Sequence, residues 1–120
     1  MLTKQELGKC GEKIATKYLK ENSYQIVQRN YRCRFGEIDI IAYKDNYLIF
    51  VEVKTKQNDK FGSPQAEVNL RKQKKLQQLA RYYISQNQDQ NIDFRFDVIG
   101  IMYRGVEDYK LSHLENAFLV

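Results

Sequence analysis

The order of apolar and polar residues along the chain predicts one helix, three strands, a second helix and a further strand. Residues 3–6, Thr-Lys-Gln-Glu, match a capping box, and apolar residues then recur at helical spacing as far as Leu19. Three runs rich in apolar and β-branched residues follow, typical of strands, at Tyr24–Arg29, Glu37–Tyr43 and Tyr47–Thr55. Between the first two runs, residues 30–36 are basic and aromatic and are expected to form a connection.

The second half of the chain predicts a long helix and a core strand. Pro64 suits the first helical position after a Ser63 N-cap, so we place the second helix at Pro64–Ser85. The run Phe94–Tyr103 predicts a core strand, and Lys110–Val120 fits either a last short strand or a half-turn of helix. This order predicts a single α/β domain over residues 1–120, with a mixed central sheet of about four to five strands flanked by helices. The inward residues predicted for the second helix are Val68, Leu76, Leu79, Ala80 and Tyr83.

Two features of the first helix predict contact with the rest of the fold. Gly8 and Gly11 each cost about 1 kcal/mol of helix stability, which indicates that something packs closely there. Glu12 lies at the border of the apolar arc, where its side chain can reach inward. The alternative for a single helical glutamate is a solvated side chain.

Composition and charge favour an anionic partner. The chain has 120 residues, of which 42% are hydrophobic and 29% charged, and its net charge is +5. This balance is typical of a folded protein whose first candidate partner is nucleic acid and whose second is an anionic membrane surface; solubility alone is the plain alternative. No apolar run reaches the roughly 18 residues that span a bilayer, and Met1–Glu21 is amphipathic and charged, so we expect a cytoplasmic protein without a membrane partner. Cys10 and Cys33 lack the spacing of a zinc site and are expected to be reduced thiols.

The most informative stretch comprises the two strands on either side of Asp45-Asn46. Both residues tolerate positive φ, so they predict a two-residue primed turn. Side chains alternate between the faces of a strand, so the turn also predicts which residues of the two strands are opposite each other. Counting outward from it gives the pairs Ile41–Phe50, Asp39–Glu52 and Glu37–Lys54.

An opposed pair of carboxylates needs a physical reason. Directly opposite side chains have Cβ atoms about 5 Å apart, and like charges there are destabilising. A divalent cation held by Asp39 and Glu52 removes the repulsion, because hard ions such as Mg2+ take oxygen ligands and keep several waters. Lys54, two residues beyond Glu52 on the same face, is placed to orient a water or to offset charge on a phosphate. The alternative is an ordinary half-exposed hairpin in which Asp39 pairs with a basic residue and Glu52 is solvated.

These residues resemble a known group of nucleases. Asp39, followed on the next strand by Glu52-Val53-Lys54, is similar to the PD-(D/E)XK nuclease superfamily and, within it, to the archaeal Holliday-junction resolvases. The order of segments along nearly the whole chain resembles more closely the YraN-like family of small bacterial proteins. The matching segments are Gly11-Glu12, Arg29-Asn30-Tyr31-Arg32, Gly36-Glu37-Ile38-Asp39-Ile40-Ile41-Ala42, Phe50-Val51-Glu52-Val53-Lys54-Thr55, Phe61-Gly62-Ser63-Pro64, Lys72 and Arg95-Phe96-Asp97.

The resemblance implies a restriction-endonuclease-like core and a set of site residues. Asp39 and Glu52 are then the ligands of Mg2+ or Mn2+, Lys54 is the catalytic lysine and Glu12 is an accessory acid. It also implies a homodimer. Ile38 stands where the superfamily has its namesake proline, at a position that varies widely.

Six basic residues are candidates for a surface that binds the nucleic-acid backbone; a solvated face is the alternative. Lys72 is in phase with the inward stripe of its helix and is either a snorkelling side chain or a phosphate contact beside the metal. Tyr31 and Phe35 either stack on unpaired bases or pack in the core. The six basic candidates are Arg29, Arg32, Arg34, Arg71, Lys72 and Lys75.

Three further polar residues are predicted to have structural roles. Arg95 and Asp97 project together from their strand and are expected to form an ion pair. His113 is the only histidine, and its spacing from Ser and Cys residues indicates no catalytic partner.

Taken together, the sequence predicts a small metal-dependent endonuclease that hydrolyses DNA, with branched or otherwise irregular structures as candidate substrates. In this hypothesis Mg2+ or Mn2+ activates the attacking water and Lys54 positions it. A second hypothesis is a nucleic-acid-binding protein that keeps the fold without cutting. A third is an interaction protein whose charges are solvated.

Overall fold

The structure, a computed structural model, describes residues 2–57, 68–87 and 91–118, which form two helices and five strands. Neither described helix is long and apolar enough to cross a membrane. The mixed α/β fold predicted from the sequence is confirmed. In chain order the elements are α1 (Lys4–Glu21), β1 (Gln25–Cys33), β2 (Gly36–Lys44), β3 (Tyr47–Lys56), α2 (Leu70–Gln86), β4 (Asp93–Gly105) and β5 (Asp108–Leu114).

The five strands form one sheet in the order β1-β2-β3-β4-β5. Neighbouring strands are antiparallel except β3 and β4, which are parallel. A parallel pair needs a crossover connection, and α2 lies in the segment that joins these two strands. The tail of the chain, for which the sequence left two interpretations, pairs with β4 as strand β5.

Each helix covers one face of the sheet, so the central strands are buried on both sides. This arrangement explains why β3 is apolar at consecutive positions from Leu48 to Val51. The five residues predicted to face inward from the second helix are all buried, as predicted. On the α2 face the core includes Ile41, Phe50, Phe96, Leu76 and Leu79, and on the α1 face it includes Ile40, Ile49, Val51, Ile99, Ala15 and Leu19.

Two predicted boundaries are wrong. Strand β1 does not end at Arg29 but continues to Cys33, because it keeps pairing with β2 through Tyr31–Ile38 and Cys33–Gly36. Helix α2 begins at Leu70, and the side chain of Asn69 caps it by accepting a hydrogen bond from the Lys72 N–H at 3.0 Å. The predicted helix from Pro64 is therefore not observed at Val68 and Asn69, while Ser63 and Pro64 lie outside the described residues.

A buried polar network ties α1 to β4 and β5. Arg95 donates to both oxygens of Asp97, at 3.0 and 3.2 Å, which confirms the predicted pair. The Asp97 side chain is fully buried and also contacts His113 Nε2 at 2.7 Å, while the Asn116 N–H donates to it at 3.0 Å. The other ring nitrogen of His113 lies 2.9 Å from the Tyr18 hydroxyl of α1. The histidine therefore connects helix and sheet rather than standing alone.

Hydrogen bonding decides the charge state of Asp97. Burial alone would raise the pKa of this carboxyl group, but the hydrogen bonds from His113, Arg95 and the Asn116 N–H outweigh it, so the pKa lies below its usual range. Asp97 is thus an ionised carboxylate in the core. Arg95 balances its charge, and hydrogen bonds from the neighbouring groups satisfy its oxygens.

We predict that Asp97→Asn strongly destabilises the fold, because it leaves the charge of Arg95 without its buried counter-charge. Removing one partner of a buried pair costs about 3–5 kcal/mol, which for a chain of this size lowers Tm by roughly 10 °C or more. Urea unfolding followed by circular dichroism measures the loss. Glu107→Gln, which removes a carboxylate from an exposed turn, is the control and should change little. A loss below about 1 kcal/mol in Asp97→Asn would show that the network is not a main support of the core.

Candidate active site

The pairing of β2 with β3 is interrupted at Asp39. The turn at Asp45-Asn46 has positive φ at both residues, 51° and 69°, as predicted, and the register is confirmed as far as the Ile41–Phe50 pair. The ladder then ends at Ile40–Val51, so Asp39–Glu52 and Glu37–Lys54 are not ladder pairs. Instead, the Asp39 carboxylate accepts a hydrogen bond from the Val53 N–H at 2.8 Å. At this point a side chain of β2, rather than its backbone, is the hydrogen-bond partner of β3.

The other neighbour of β2 is also irregular at this point. In β1, Asn30 lies between the pairs Arg29–Ile40 and Tyr31–Ile38 and has a positive φ of 53°. This left-handed conformation is uncommon except for Gly, Asn and Asp, and it breaks the even pleat of the strand opposite Asp39. With its amide nitrogen oriented as the donor, Asn30 lies 3.2 Å from both carboxylate oxygens of Glu12. The irregularity therefore aims a neutral donor at the acidic residue of α1.

Three carboxylates converge where the strands separate. Oxygen atoms of Glu12 from α1 and of Glu37 and Asp39 from β2 all lie within 4.8 Å of one another. We call these three residues the acidic cluster. Arg32 neutralises it only at the rim, where its Nε lies 3.1 Å from Glu37 and its side chain is 75% exposed.

Crowding of negative charge shifts the protonation of the acidic cluster. Burial and the nearby charge of Glu52 are the main causes that raise the pKa of Asp39 to about 7; Glu12 and Glu37 add to the rise and the Val53 N–H opposes it. The pKa of Glu12 is also raised, first by burial and then by Glu37. Full ionisation of the acidic cluster at neutral pH therefore costs free energy.

Glu52 lies on the other side of the site, between two lysines. Its Oε1 atom is 3.6 Å from the Lys54 ammonium nitrogen and 3.1 Å from that of Lys72 in α2. The Glu52 side chain is only 9% exposed. We call Glu52, Lys54 and Lys72 the lysine side of the site. The two ammonium groups exceed the charge of the carboxylate by one, so this side carries a net positive charge next to the acidic cluster.

A close approach of α1 to β3 positions Glu12. Gly11 is buried against Thr55, and a Cβ atom at Gly11 would overlap the Thr55 side chain. The absence of a side chain brings the helix backbone near the strand and places the next residue, Glu12, at the site. Close packing was predicted for Gly8 as well, but a Cβ atom there would meet nothing within 4 Å among the described residues. That half of the prediction is wrong.

The predicted nucleic-acid-binding residues lie mainly around the β1–β2 hairpin and the start of α2. Arg29 is close enough to Glu12 to stabilise its negative charge. Arg34 lies over the rings of Phe35 and Tyr82, at 4.9 and 5.9 Å from their centres. Lys75 is beside Gly36, and Arg71 is exposed in the first turn of α2. Tyr31 and Phe35 pack partly buried against the core and stack edge-on with tyrosines of α2.

Five of the site residues were predicted from the sequence, and Glu37 and Asn30 were not. Glu12, Asp39, Glu52 and Lys54 all lie at the site, and Lys72 reaches it from α2. Glu37 was expected only opposite Lys54, yet it belongs to the acidic cluster. Its spacing of two residues from Asp39 on one strand was the available signal, because such residues share a face.

Comparison with known proteins finds similar proteins in several bacteria. A family model described as "Uncharacterised protein family UPF0102" matches residues 11–101. A UPF0102 protein of Thermodesulfovibrio yellowstonii is 50% identical over 113 residues, which cover 94% of this chain and 96% of the relative. UPF0102 proteins of Clostridium acetobutylicum and Caldicellulosiruptor saccharolyticus are 46% and 40% identical, over 94% and 98% of this chain and 93% and 100% of their own lengths. The similarity thus extends over nearly the whole of each chain.

We predict opposite effects for alanine at the two glycines of α1. Gly11→Ala should destabilise the protein by about 1–3 kcal/mol, since the new methyl group overlaps Thr55 and forces the helix away from β3. Gly8→Ala, the matched control, should stabilise it by about 0.5–1 kcal/mol, because alanine favours the helix and meets no described atom. Urea unfolding of both variants measures the difference. Equal effects would contradict the proposed close approach at Gly11.

We also predict that Asp39 makes the protein less stable as the pH rises. Its pKa of about 7 in the folded state lies above the usual value of 3.8 for an aspartate, so the protonated form favours folding. The stability that this proton contributes is complete below about pH 4 and is lost as the pH rises to about 7. Asp39→Asn should therefore be more stable than wild type at pH 8 by several degrees in Tm, and the two should converge toward pH 4.

Thermal unfolding between pH 4 and pH 8 in EDTA tests this prediction. Asp45→Asn is the control, since Asn suits the same positive φ and the turn lies away from the acidic cluster. Melting curves of wild type and Asp39→Asn that stay parallel across this range would contradict it.

Proposed function

The chain belongs to the uncharacterised protein family UPF0102, whose name assigns no activity, and we propose from the geometry of its charged residues that it is a metal-dependent endonuclease that hydrolyses phosphodiester bonds in DNA. The observation that carries this proposal is the division of one site into an acidic cluster and a lysine side. Phosphodiester hydrolysis needs a cation beside the phosphate and positive groups that stabilise the charge of the transition state.

The donor atoms fit Mg2+ or Mn2+. All three residues of the acidic cluster offer carboxylate oxygens within 4.8 Å of one another, and hard cations prefer such ligands. The raised pKa of Asp39 supports the fit, because a bound cation would remove the repulsion from Glu52, Glu12 and Glu37. Asp39 would hold the ion together with Glu12 and Glu37, and Glu52 would join them on release from a lysine. When bound, the ion supplies a Lewis acid for the phosphoryl oxygens and lowers the pKa of water.

Residues of the chain would orient the ligands of the ion, bind the phosphate and position the attacking water. The Val53 N–H holds the Asp39 carboxylate in one orientation, so this ligand needs no reordering when it binds. Lys54, whose side chain is 22% exposed, offers a proton-donating ammonium group to a phosphate oxygen and positions the attacking water. Asn30 orients Glu12 by donating to it. The role of accessory acid for Glu12 comes from the resemblance.

The backbone of the nucleic acid would lie across the β1–β2 hairpin and the first turns of α2. Arg71 and Lys75 are exposed there, and Arg32 and Arg34 lie on the hairpin. Such groups bind phosphates without regard to sequence, in keeping with a net charge of +5. The ring faces of Tyr31 and Phe35 are partly used in core packing, so the proposal rests on phosphate contacts rather than on base stacking.

The proposal extends to branched or otherwise irregular DNA, to a homodimer and to the cytoplasm. The first two come from the resemblance to resolvases. The free thiols of Cys10 and Cys33 support the cytoplasm, where cysteines remain reduced.

We predict that the wild-type protein cuts plasmid or branched DNA with Mg2+ or Mn2+ and not with EDTA. Asp39→Asn, Glu52→Gln and Lys54→Met should each lower the rate by about 100-fold or more, since each removes a group that stabilises the transition state. Gel-based nicking assays on supercoiled plasmid and on a four-way junction measure the rates. The matched controls Asp45→Asn and Glu21→Gln change exposed carboxylates outside the site and should cut at the wild-type rate.

The same assay separates the proposal from its main alternative. Equal cutting by the three site variants would overturn the assigned site. DNA binding without cutting under every metal condition would favour a nucleic-acid-binding protein that keeps the fold.

A further inference from the structure

Lys72 has a position that the proposed reaction does not by itself require. It projects from the first turn of α2, across the site from β3, and its ammonium group makes the shorter of the two contacts with Glu52, 3.1 Å against 3.6 Å for Lys54. Both lysines contact the same oxygen, Oε1. Glu52 is therefore paired with two lysines. Its negative charge still acts on Asp39, where it is a main cause of the raised pKa.

The two lysines differ in their freedom to move. Lys54 is two residues from Glu52 on the same strand, and its side chain is 22% exposed, so it stays beside the carboxylate. Lys72 is held at its backbone by the bond from its N–H to Asn69 and at its ammonium group by the contact with Glu52, and its side chain is 39% exposed. Its four-carbon side chain can turn into the solvent or toward a ligand without any change in the fold. Of the two lysines that contact Glu52, Lys72 is therefore the one with more room to move away into solvent.

We propose that Lys72 is a latch on Glu52: it holds this carboxylate while the site is empty, and when a divalent cation binds it exchanges Glu52 for a phosphate of the nucleic acid. This inference rests on the proposed function. Glu52 carries a single negative charge, so a cation that binds it weakens its attraction for the Lys72 ammonium group and also repels that group. The released ammonium group then lies beside the cation with no anionic partner, at the place where a phosphate would enter.

The exchange makes Lys72 a positioning residue that couples two binding events. A cation strengthens nucleic-acid binding because it frees a phosphate contact, and nucleic acid strengthens cation binding because it occupies the lysine that competes for Glu52. Linkage requires the two enhancements to be equal. A protein without a bound cation would bind DNA weakly, so it would not stay on DNA that it cannot cut.

The test compares Mg2+ binding to wild type, Lys72→Gln and Lys72→Arg by isothermal titration calorimetry at pH 8 without nucleic acid. Lys72→Gln removes the competing charge and should bind Mg2+ about fivefold more tightly or better, a coupling of ordinary size. Lys72→Arg keeps the charge and can grip a carboxylate with two hydrogen bonds, so it should bind Mg2+ no more tightly than wild type. Lys74→Gln, an exposed lysine of the same helix, controls for net charge and should leave the affinity unchanged.

The second arm measures binding of a fluorescent DNA duplex by anisotropy at 4 °C, with Mg2+ and with EDTA, on samples in which the DNA is verified as intact. Wild type should bind more tightly with Mg2+ by about fivefold or more, and Lys72→Gln should lose most of this enhancement. Equal Mg2+ affinity in wild type and Lys72→Gln would overturn the latch while leaving the nuclease proposal in place. If wild type binds no Mg2+ at all, the metal site and the latch are both wrong.

Discussion

The site depends on one hydrogen bond, in which the Val53 N–H donates to the carboxylate of Asp39. In a regular antiparallel pair this N–H would bond to a carbonyl group of β2 and the two strands would continue side by side. Here the side chain takes the place of the backbone, so the strands can separate after Ile40–Val51 without leaving a buried N–H unpaired. Carboxylate oxygens of Glu12, Glu37 and Asp39 converge where the strands separate.

The charges of the molecule explain why the separation of β2 and β3 matters for function. Charges buried in a fold are costly unless they are balanced, and this molecule balances them in two different ways. Around Asp97 the donors Arg95 and His113 satisfy the carboxylate, and its pKa is lowered. Around Asp39 the neighbours are mainly other carboxylates, and its pKa is raised. The first arrangement is complete in itself and supports the core, whereas in the second Arg29 and Arg32 balance the carboxylates only in part, which supports the interpretation of a binding site.

Much of this could be predicted from the sequence, and the parts that could not have physical reasons. The hairpin register was predictable because Asp45-Asn46 suits a two-residue turn, and the alternation of side chains along each strand then fixes the pairs. The point at which the ladder ends was not, since it depends on a side chain bonding to the backbone of a neighbouring strand. The pairing of Lys72 with Glu52 was hidden for the same reason: it joins elements whose relative placement is set by packing across the sheet. The boundary of α2 was missed because Asn69 and Ser63 are equally good caps in sequence.

The parallel pairing of β3 with β4 has a consequence for the time at which the site forms. Strands β1, β2 and β3 follow one another through short turns, so their contacts close small loops and can form early. Strand β3 meets β4 only after the chain has passed through α2, which closes a much longer loop and belongs to the slow part of folding. Glu52 lies on β3 and its partner Lys72 lies within that loop. All four carboxylates and Lys54 thus leave the ribosome before Lys72, the second lysine that contacts Glu52, and the finished charge pattern needs a chain whose synthesis has passed α2.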